Sequence, residues 1–264
     1  MDITRPLHSQ DIQSFLLWMP NWIGDVVLTL PVIQSLRRAY PVARIFVVAK
    51  SPSYELLLGH PAIDTVLILP SGPEISFWQK VGFARSLKKY SLDVGAVFPN
   101  SFGSAFLLSL TGAKCRLGYN TDARDILLTH PVTTTTHLKK TQYRVEYFFK
   151  IFSSLKMDAL DHKFASLNAQ EGDRSIREVM LGMGLDENEE FITLHPGASK
   201  VERSWHAERF GILCQKLIKE GTKRVVLLGT EKESELLNRI KNFGPPETIK
   251  IIPPVILRVL TELL

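Results

Sequence analysis

The sequence is poor in cysteine and contains no long uninterrupted apolar segment. Cys115 and Cys214 are its only cysteines, and they lie far apart without Cys-x-x-Cys or Cys/His spacing. A zinc site and a disulfide framework are therefore not indicated, and a reducing cytoplasm is the expected location. No apolar run approaches the roughly 20 residues of a transmembrane helix, so we expect membrane contact to be peripheral. The polar start, residues 1–13, argues against a signal peptide.

A concentration of charge of one sign is also missing. The 32 Lys and Arg residues exceed the 27 Asp and Glu residues by five, and they are spread along the chain. We therefore predict no nucleic-acid partner, whereas nucleotide diphosphates or an anionic membrane surface fit the mildly basic balance. A length of 264 residues with 45% hydrophobic content suits two α/β domains or one large one.

The chain is organised around residues 15–40. An apolar strand at 15–19 enters a turn at 20–25, and an amphipathic helix follows. We expect Gly24 to give the turn its backbone freedom, and Asp25 to begin the helix at the carboxyl end of the strand. Ligands of open α/β sheets bind at that end. Pro31 either kinks the helix or marks the first turn of its regular part.

Two interpretations of Asp25 remain open from the local sequence. As a helix-terminal carboxylate, it accepts backbone N–H groups and complements the helix dipole. As a general base, it reaches into a cleft, and it then needs apolar shielding because a helix terminus favours the charged form of a carboxyl group. Trp22 and Ile23 are the residues expected to provide that shielding.

Strands and helices alternate through the first half of the sequence, which predicts a doubly wound parallel sheet. The predicted strands cover 44–49, 66–69 and 94–98, and the predicted helices cover 54–58, 77–89, 105–110 and 143–155. In the loop at 99–104, Asn100 and Ser101 are as well explained by turn and cap roles as by ligand contacts. Residues 112–129 are predicted to be rich in loops.

A second α/β pattern follows a polar stretch near 165–173, where we place the boundary between a first domain, 1–172, and a second domain, 173–264. This pattern comprises a strand at 191–194, a loop at 195–199, a helix at 207–220 and a strand at 225–228.

Four stretches, in this order, resemble one family: NWIGDVVLTLP, PNSFGSAFL, HPGASKVERSWHAERF and VVLLGTEKE. Together they are similar to the ADP-heptose:lipopolysaccharide heptosyltransferases of glycosyltransferase family 9, and the first two are most similar to the heptosyltransferase II branch. The resemblance implies a GT-B fold, with two Rossmann-like domains facing across a cleft. The first would bind the acceptor sugar and the second would bind ADP-heptose.

The resemblance also implies inverting glycosyl transfer without a metal ion or another cofactor, and the sequence contains no Asp-x-Asp motif. The implied partners are ADP-heptose and a lipid A-linked inner-core oligosaccharide, with lipid A-Kdo-heptose as the acceptor, and peripheral contact is implied at the cytoplasmic face of the inner membrane. Asp25 matches the family's general base. The implied acceptor contacts are Asn21, Asn100 and Ser101, and the implied donor contacts are Ser199, Lys200, Arg203 and Glu233. For Glu233, a solvated carboxylate at a helix start is the better local interpretation.

The sequence departs from the family at its end, because it has no Asp-Ser/Thr-Gly loop after the apolar segment 255–264. We therefore expect an incomplete second domain. Two alternatives follow: an impaired remnant that binds acceptor glycolipid, or another GT-B sugar-nucleotide enzyme such as an epimerase.

Overall fold

The computed structural model describes residues 12–134, 143–155, 157, 176–185, 189–198 and 201–253. The chain divides into two compact units, Met1–Asn168 and Ala169–Leu264. The predicted domain boundary at 172/173 and the apolar segment 255–264 lie outside the described residues.

The first unit contains a parallel six-stranded sheet in the order β3-β2-β1-β4-β5-β6. Its strands are β1 Ser14–Trp18, β2 Arg44–Ala49, β3 Thr65–Ile68, β4 Val94–Val97, β5 Cys115–Tyr119 and β6 His130–Val132. Its helices are α1 Ile23–Val27, α2 Leu30–Ala39, α3 Ser53–Leu57, α4 Phe77–Ser86, α5 Phe102–Leu110 and α6 Arg144–Phe149.

Both faces of this sheet are covered, as the predicted doubly wound arrangement requires. All five residues of β1 are buried, and its apolar side chains alternate between two cores. Phe15 and Leu17 pack with residues of α2 and α6, whereas Leu16 and Trp18 pack with residues of α4 and α5. A parallel strand buried on both faces is a continuous apolar run, which is why the sequence predicted β1 well.

Two local expectations are settled in the opening helices. Pro31 lies in the first turn of α2, where its missing N–H costs no helical bond. The role expected for Gly24 is wrong, because Gly24 lies within α1 and is not among the residues with positive φ. Helix α1 ends in a turn at Leu28 and Thr29, where the Thr29 hydroxyl donates to the Val26 carbonyl at 2.6 Å.

The predicted loop-rich stretch 112–129 is partly wrong, because β5 lies within it and pairs with both β4 and β6. Arg116 and Gly118 interrupt its apolar pattern. Gly118 is required by packing, since a Cβ atom there would lie 2.8 Å from Val97 Cγ1.

The second unit has a described parallel sheet in the order β7-β8-β9. Its elements are α7 Ile176–Gly182, β7 Phe191–Leu194, α8 Ala207–Lys219, β8 Arg224–Leu227, α9 Ser234–Lys241 and β9 Ile249–Ile251. Short 3-10 turns at Val201–Arg203 and Glu231–Glu233 follow β7 and β8. The predicted second α/β pattern is confirmed, and β9 adds a strand that the sequence analysis did not identify.

Candidate active site

The candidate site lies at the carboxyl ends of β1 and β4, which are neighbours in the middle of the first sheet. The chain leaves β1 towards β2 on one side and leaves β4 towards β5 on the other. This reversal is the topological switch point where open α/β sheets bind their ligands. A pocket of about 130 Å³ occupies it, lined by Pro20, Asn21, Trp22, Asp25, Phe98, Pro99, Asn100, Ser101, Arg144 and Phe148.

Asp25 lies in the first turn of α1, as predicted. Its carboxylate forms a two-pronged ion pair with Arg144, in which Nε lies 3.1 Å from Oδ1 and Nη2 lies 3.4 Å from Oδ2. The Asp25 side chain is 25% exposed. The shielding expected from Trp22 is small, because Trp22 is itself 72% exposed. Arg144 therefore covers the carboxylate and leaves part of it open to the pocket.

The guanidinium of Arg144 also lies over two aromatic rings of α6. Its central carbon is 5.1 Å from the centroid of the Tyr147 ring and 4.8 Å from that of Phe148. Both rings are buried, with 1% exposure, so they form a fixed surface under the cation. Cation–π attraction therefore adds to the ion pair.

Asn100 joins this cluster from the loop after β4. Its amide nitrogen donates to the Tyr147 hydroxyl at 2.9 Å, and its amide oxygen accepts a bond from Arg124 Nη2 at 3.3 Å. The Tyr119 hydroxyl donates to the backbone carbonyl of Tyr147 at 2.5 Å. The side chain of Asn100 is therefore held in one orientation at the edge of the pocket.

Arg124 is completely buried beneath the loop after β4. Its Nε donates to the Tyr119 carbonyl at 2.7 Å, and its Nη1 donates to the carbonyls of Pro99 and Ser101. Burial lowers the pKa of Arg124 to about 10, so the group remains charged at neutral pH. Carbonyl dipoles stabilise the positive charge of Arg124, and its hydrogen bonds hold the loop after β4 in its conformation.

Ser101 is the N-cap of α5, and its hydroxyl accepts a bond from the Ser104 N–H at 3.3 Å. This is one of its two predicted roles. Ser101 and the exposed Asn21 both line the pocket, so their acceptor contacts remain predictions consistent with their position.

Two of the four predicted donor residues are described in the second unit, whereas Ser199 and Lys200 lie outside the described residues. Arg203 is exposed in the 3-10 turn after β7. The neighbouring Ser204 donates its hydroxyl to the Pro196 carbonyl at 3.3 Å, which ties this turn to the His195-Pro196-Gly197 loop.

Glu233 also lies against that loop. Its Oε2 accepts bonds from the backbone N–H and the hydroxyl of Thr230, at 2.7 and 2.8 Å, and these bonds help to lower its pKa. A Cβ atom at Gly197 would lie 1.7 Å from Glu233 Oε1, so a larger residue there would displace the Glu233 carboxylate. The helix-start interpretation of Glu233 thus has a direct structural basis, and its contact with ribose remains a prediction.

A larger cavity, of about 840 Å³, lies at the amino ends of β7 and β8 and is lined by residues 189–192 and 220–223. Because parallel sheets bind ligands at the opposite end, we do not assign a site there.

Within the described part of the chain, no cluster of three or more His, Cys, Asp or Glu side chains is arranged to hold a metal ion. No helix in that part is long and apolar enough to cross a bilayer.

The sequence analysis singled out neither Arg144 nor Tyr147 within the helix predicted at 143–155. One signal was present, because Arg144 occupies the first turn of a predicted helix, where the helix dipole disfavours a cation. A cation at that position indicates a partner elsewhere in the fold.

Two α/β units on parallel sheets, with a polar pocket at a switch point, define an α/β ligand-binding fold of the GT-B type. The solved structure of E. coli ADP-heptose lps heptosyltransferase II has the same fold. Its TM-score is 0.75 at 21% identity, over 94% of this chain and 75% of that one.

The chain belongs to glycosyltransferase family 9 (heptosyltransferase), whose model matches residues 81–264. It is similar to lipooligosaccharide heptosyltransferase 2 of Haemophilus ducreyi, with 26% identity over 84% of this chain and 65% of that protein. It is also similar to lipopolysaccharide heptosyltransferase 2 of E. coli K12, with 28% identity over 84% of this chain and 64% of that protein. The chain thus spans less than two thirds of the length of these relatives.

Proposed function

We propose that this protein transfers heptose from ADP-heptose to the lipid A-linked inner core of lipopolysaccharide, by an inverting mechanism that needs no metal. Membership of family 9 supports the reaction class, and the names of the relatives support the sugar and the acceptor. The observation that carries the proposal is the pocket at the switch point, where Asp25 is the only carboxylate among the described lining residues.

In the proposed reaction, an acceptor hydroxyl oxygen attacks the anomeric carbon of the donor as the bond from that carbon to ADP breaks. Asp25 takes the hydroxyl proton, and ADP leaves with the bonding electrons. The ion pair with Arg144 is compatible with this role. A carboxylate has about four lone-pair sites, of which the two bonds from Arg144 occupy two.

Among the described residues that line this pocket, a single carboxylate is present, which favours transfer over the epimerase alternative. An epimerase needs acid and base groups on both sides of the donor sugar, whereas a transferase needs one base facing the acceptor. Cationic side chains and backbone N–H groups of the second unit would stabilise the departing diphosphate in place of a metal.

The direct test is a transfer assay on the full-length protein. ADP-heptose and a glycolipid acceptor composed of lipid A, Kdo and one heptose are incubated with the protein, with and without EDTA. We expect ADP release, a mass gain of one heptose on the glycolipid, inversion at the anomeric carbon and no effect of EDTA. Donor epimerisation without transfer would favour the epimerase. Acceptor binding without ADP binding in calorimetry would favour the impaired remnant.

The donor assignment predicts that Arg203→Ala weakens ADP binding by about 1.5 to 3 kcal/mol, the scale of a hydrogen bond to a charged group. The planar guanidinium of Arg203 suits a diphosphate, because its donors pair with two phosphate oxygens at once. Calorimetry with ADP measures the change. Arg239→Ala, which removes a surface ion pair with Glu208 in the same unit, is the matched control. A loss in Lys200→Ala but not in Arg203→Ala would contradict this assignment.

Peripheral membrane contact is supported by an aromatic patch, formed by Phe77, Trp78, Phe102 and Phe106 on α4 and α5. Trp78 is 75% exposed and Phe77 is 50% exposed, and the Phe77 ring stacks on Phe106 with centroids 6.0 Å apart. Phe102 directly follows Ser101, so the patch borders the pocket. A lipid-linked acceptor would enter the pocket from the membrane surface that this patch contacts.

Cations accompany the patch along the same helix and the turn after it. Arg85, Lys88 and Lys89 are exposed there, which suits anionic lipid headgroups. Exposed aromatic rings combined with basic side chains are typical of surfaces that lie in the membrane interface.

Replacing both Phe77 and Trp78 by alanine should lower partitioning onto phosphatidylglycerol-containing vesicles by about tenfold. The reason is that the variant lacks the two aromatic rings whose apolar surface is removed from water on binding. Co-sedimentation measures the change, with pure phosphatidylcholine vesicles as the uncharged reference. Trp205→Ala, at an exposed tryptophan of the second unit, is the control. Equal partitioning of the double variant and the unmodified protein would exclude the patch as the contact surface.

A further inference from the structure

The geometry points to Arg144 as the residue that positions Asp25 for proton transfer. This inference rests on the proposed function, since it assigns to Arg144 the orientation of the proposed base. Arg144 is not assigned a contact with substrate. It acts through the carboxylate of Asp25.

The first argument is the two-pronged ion pair. Two different nitrogens of one planar guanidinium meet the two carboxylate oxygens of Asp25, at 3.1 and 3.4 Å. This pairing fixes the plane of the carboxylate as well as its position, which a single contact does not do. The oxygens keep the lone pairs directed away from Arg144, and these are the ones that a hydroxyl in the pocket would meet.

The second argument is that Arg144 is itself braced. Its guanidinium lies over the rings of Tyr147 and Phe148, at 5.1 and 4.8 Å from their centroids. Both rings are buried in the core that also contains β1. The guanidinium therefore stands between a rigid aromatic surface and the carboxylate, although 41% of its side chain is exposed.

The third argument is that the same helix orients the acceptor loop. The hydroxyl of Tyr147, one turn after Arg144, accepts the bond from Asn100 Nδ2 at 2.9 Å. Helix α6 thus holds Asp25 through Arg144 and holds Asn100 through Tyr147. One helix thus fixes the relative positions of the proposed base and one proposed acceptor contact. Asp25 and Arg144 are 119 residues apart in sequence.

The test is a double-mutant cycle of Arg144→Gln and Asp25→Asn, assayed for transfer in the full-length protein. Arg144→Gln should lower kcat by about tenfold or more, because a misaligned reacting group loses rate steeply. KM for ADP-heptose should stay within about twofold, since only the base is disturbed. In the Asp25→Asn background, the same substitution should cause almost no further loss, because there is no base left to align.

Arg144→Lys separates charge from geometry. A lysine keeps the positive charge but cannot pair with both oxygens through a planar fork. We therefore expect a kcat between those of Arg144→Gln and the unmodified protein. Because Arg144→Lys retains a positive charge opposite Asp25, it can replace Arg144→Gln in the cycle if thermal unfolding shows that Arg144→Gln is unstable. Lys114→Gln, which breaks the exposed pair with Asp93 in the same unit, should leave kcat and KM unchanged.

Two outcomes overturn the inference: an unchanged kcat in Arg144→Gln, or an equal loss in both backgrounds, which would mean that Arg144 acts independently of Asp25. The failure of the proposed function looks different. In that case the unmodified protein itself transfers no heptose, whereas a normal rate in Asp25→Asn alone would remove only the assignment of Asp25 as the base.

Discussion

Asp25→Asn should lower turnover by about a hundredfold or more, which is the typical contribution of general-base catalysis. Asparagine keeps the shape of the side chain but does not accept the proton of the attacking hydroxyl. It also loses the ion pair with Arg144, because an amide presents only one oxygen to the guanidinium. The affinity for the donor should change little, since the proposed donor contacts belong to the second unit.

Steady-state transfer kinetics and calorimetry with ADP measure these two quantities separately. Asp125→Asn replaces an exposed carboxylate of the same unit and serves as the control, which we expect to transfer normally. A normal rate in Asp25→Asn would return Asp25 to the role of a helix-terminal carboxylate held by Arg144. That role explains its position in α1 without any chemistry.

Arg124→Leu should destabilise the first unit by about 3 kcal/mol or more, because the buried carbonyls of Tyr119 and Pro99 lose a charged donor. Leucine fills part of the space but satisfies neither oxygen. The loop after β4 should also lose its conformation, since Arg124 bonds the carbonyl of Ser101 and the side chain of Asn100. Arg124→Leu is therefore expected to disturb the conformation of the pocket more than the removal of the Asn100 side chain alone.

Urea unfolding followed by the fluorescence of the first unit's tryptophans measures the stability change. Hydrogen exchange of residues 98–104 locates its effect on the loop. Arg85→Leu, at an exposed arginine on α4, should change stability by less than about 0.5 kcal/mol and is the reference. A loss of less than about 1 kcal/mol in Arg124→Leu would mean that water or neighbouring groups satisfy these carbonyls after the substitution.

Several contacts make the loop after β4 the link between stability and the proposed acceptor site. Ser101 caps α5, and the Asn100 carbonyl accepts a bond from the Thr121 hydroxyl at 3.0 Å. These groups already make hydrogen bonds within the protein in the absence of a ligand. Only their remaining hydrogen-bonding positions towards the pocket are available to an acceptor. Substitutions here should therefore change both stability and acceptor binding.

The sequence by itself determined the elements whose signals are local. The continuous apolar run of β1, the alternation of strands with helices and the position of Asp25 at a helix start depend only on neighbouring residues. The exact agreement of β2 and β7 with the predicted ranges has the same cause. The four family-like stretches were also found from sequence alone, because each is a short contiguous motif.

Only the tertiary structure decided which distant residues meet. Strand β5 was not predicted because Gly118 and Arg116 interrupt its apolar pattern. The reasons for these two residues are contacts with neighbouring strands and loops, which the local sequence does not reveal. Arg124 is charged, and its burial depends on carbonyls brought together by the loop after β4 and the end of β5. The pairing of Asp25 with Arg144 bridges 119 residues. Such contacts arise when helices close over a sheet, so no periodicity or spacing along the chain encodes them.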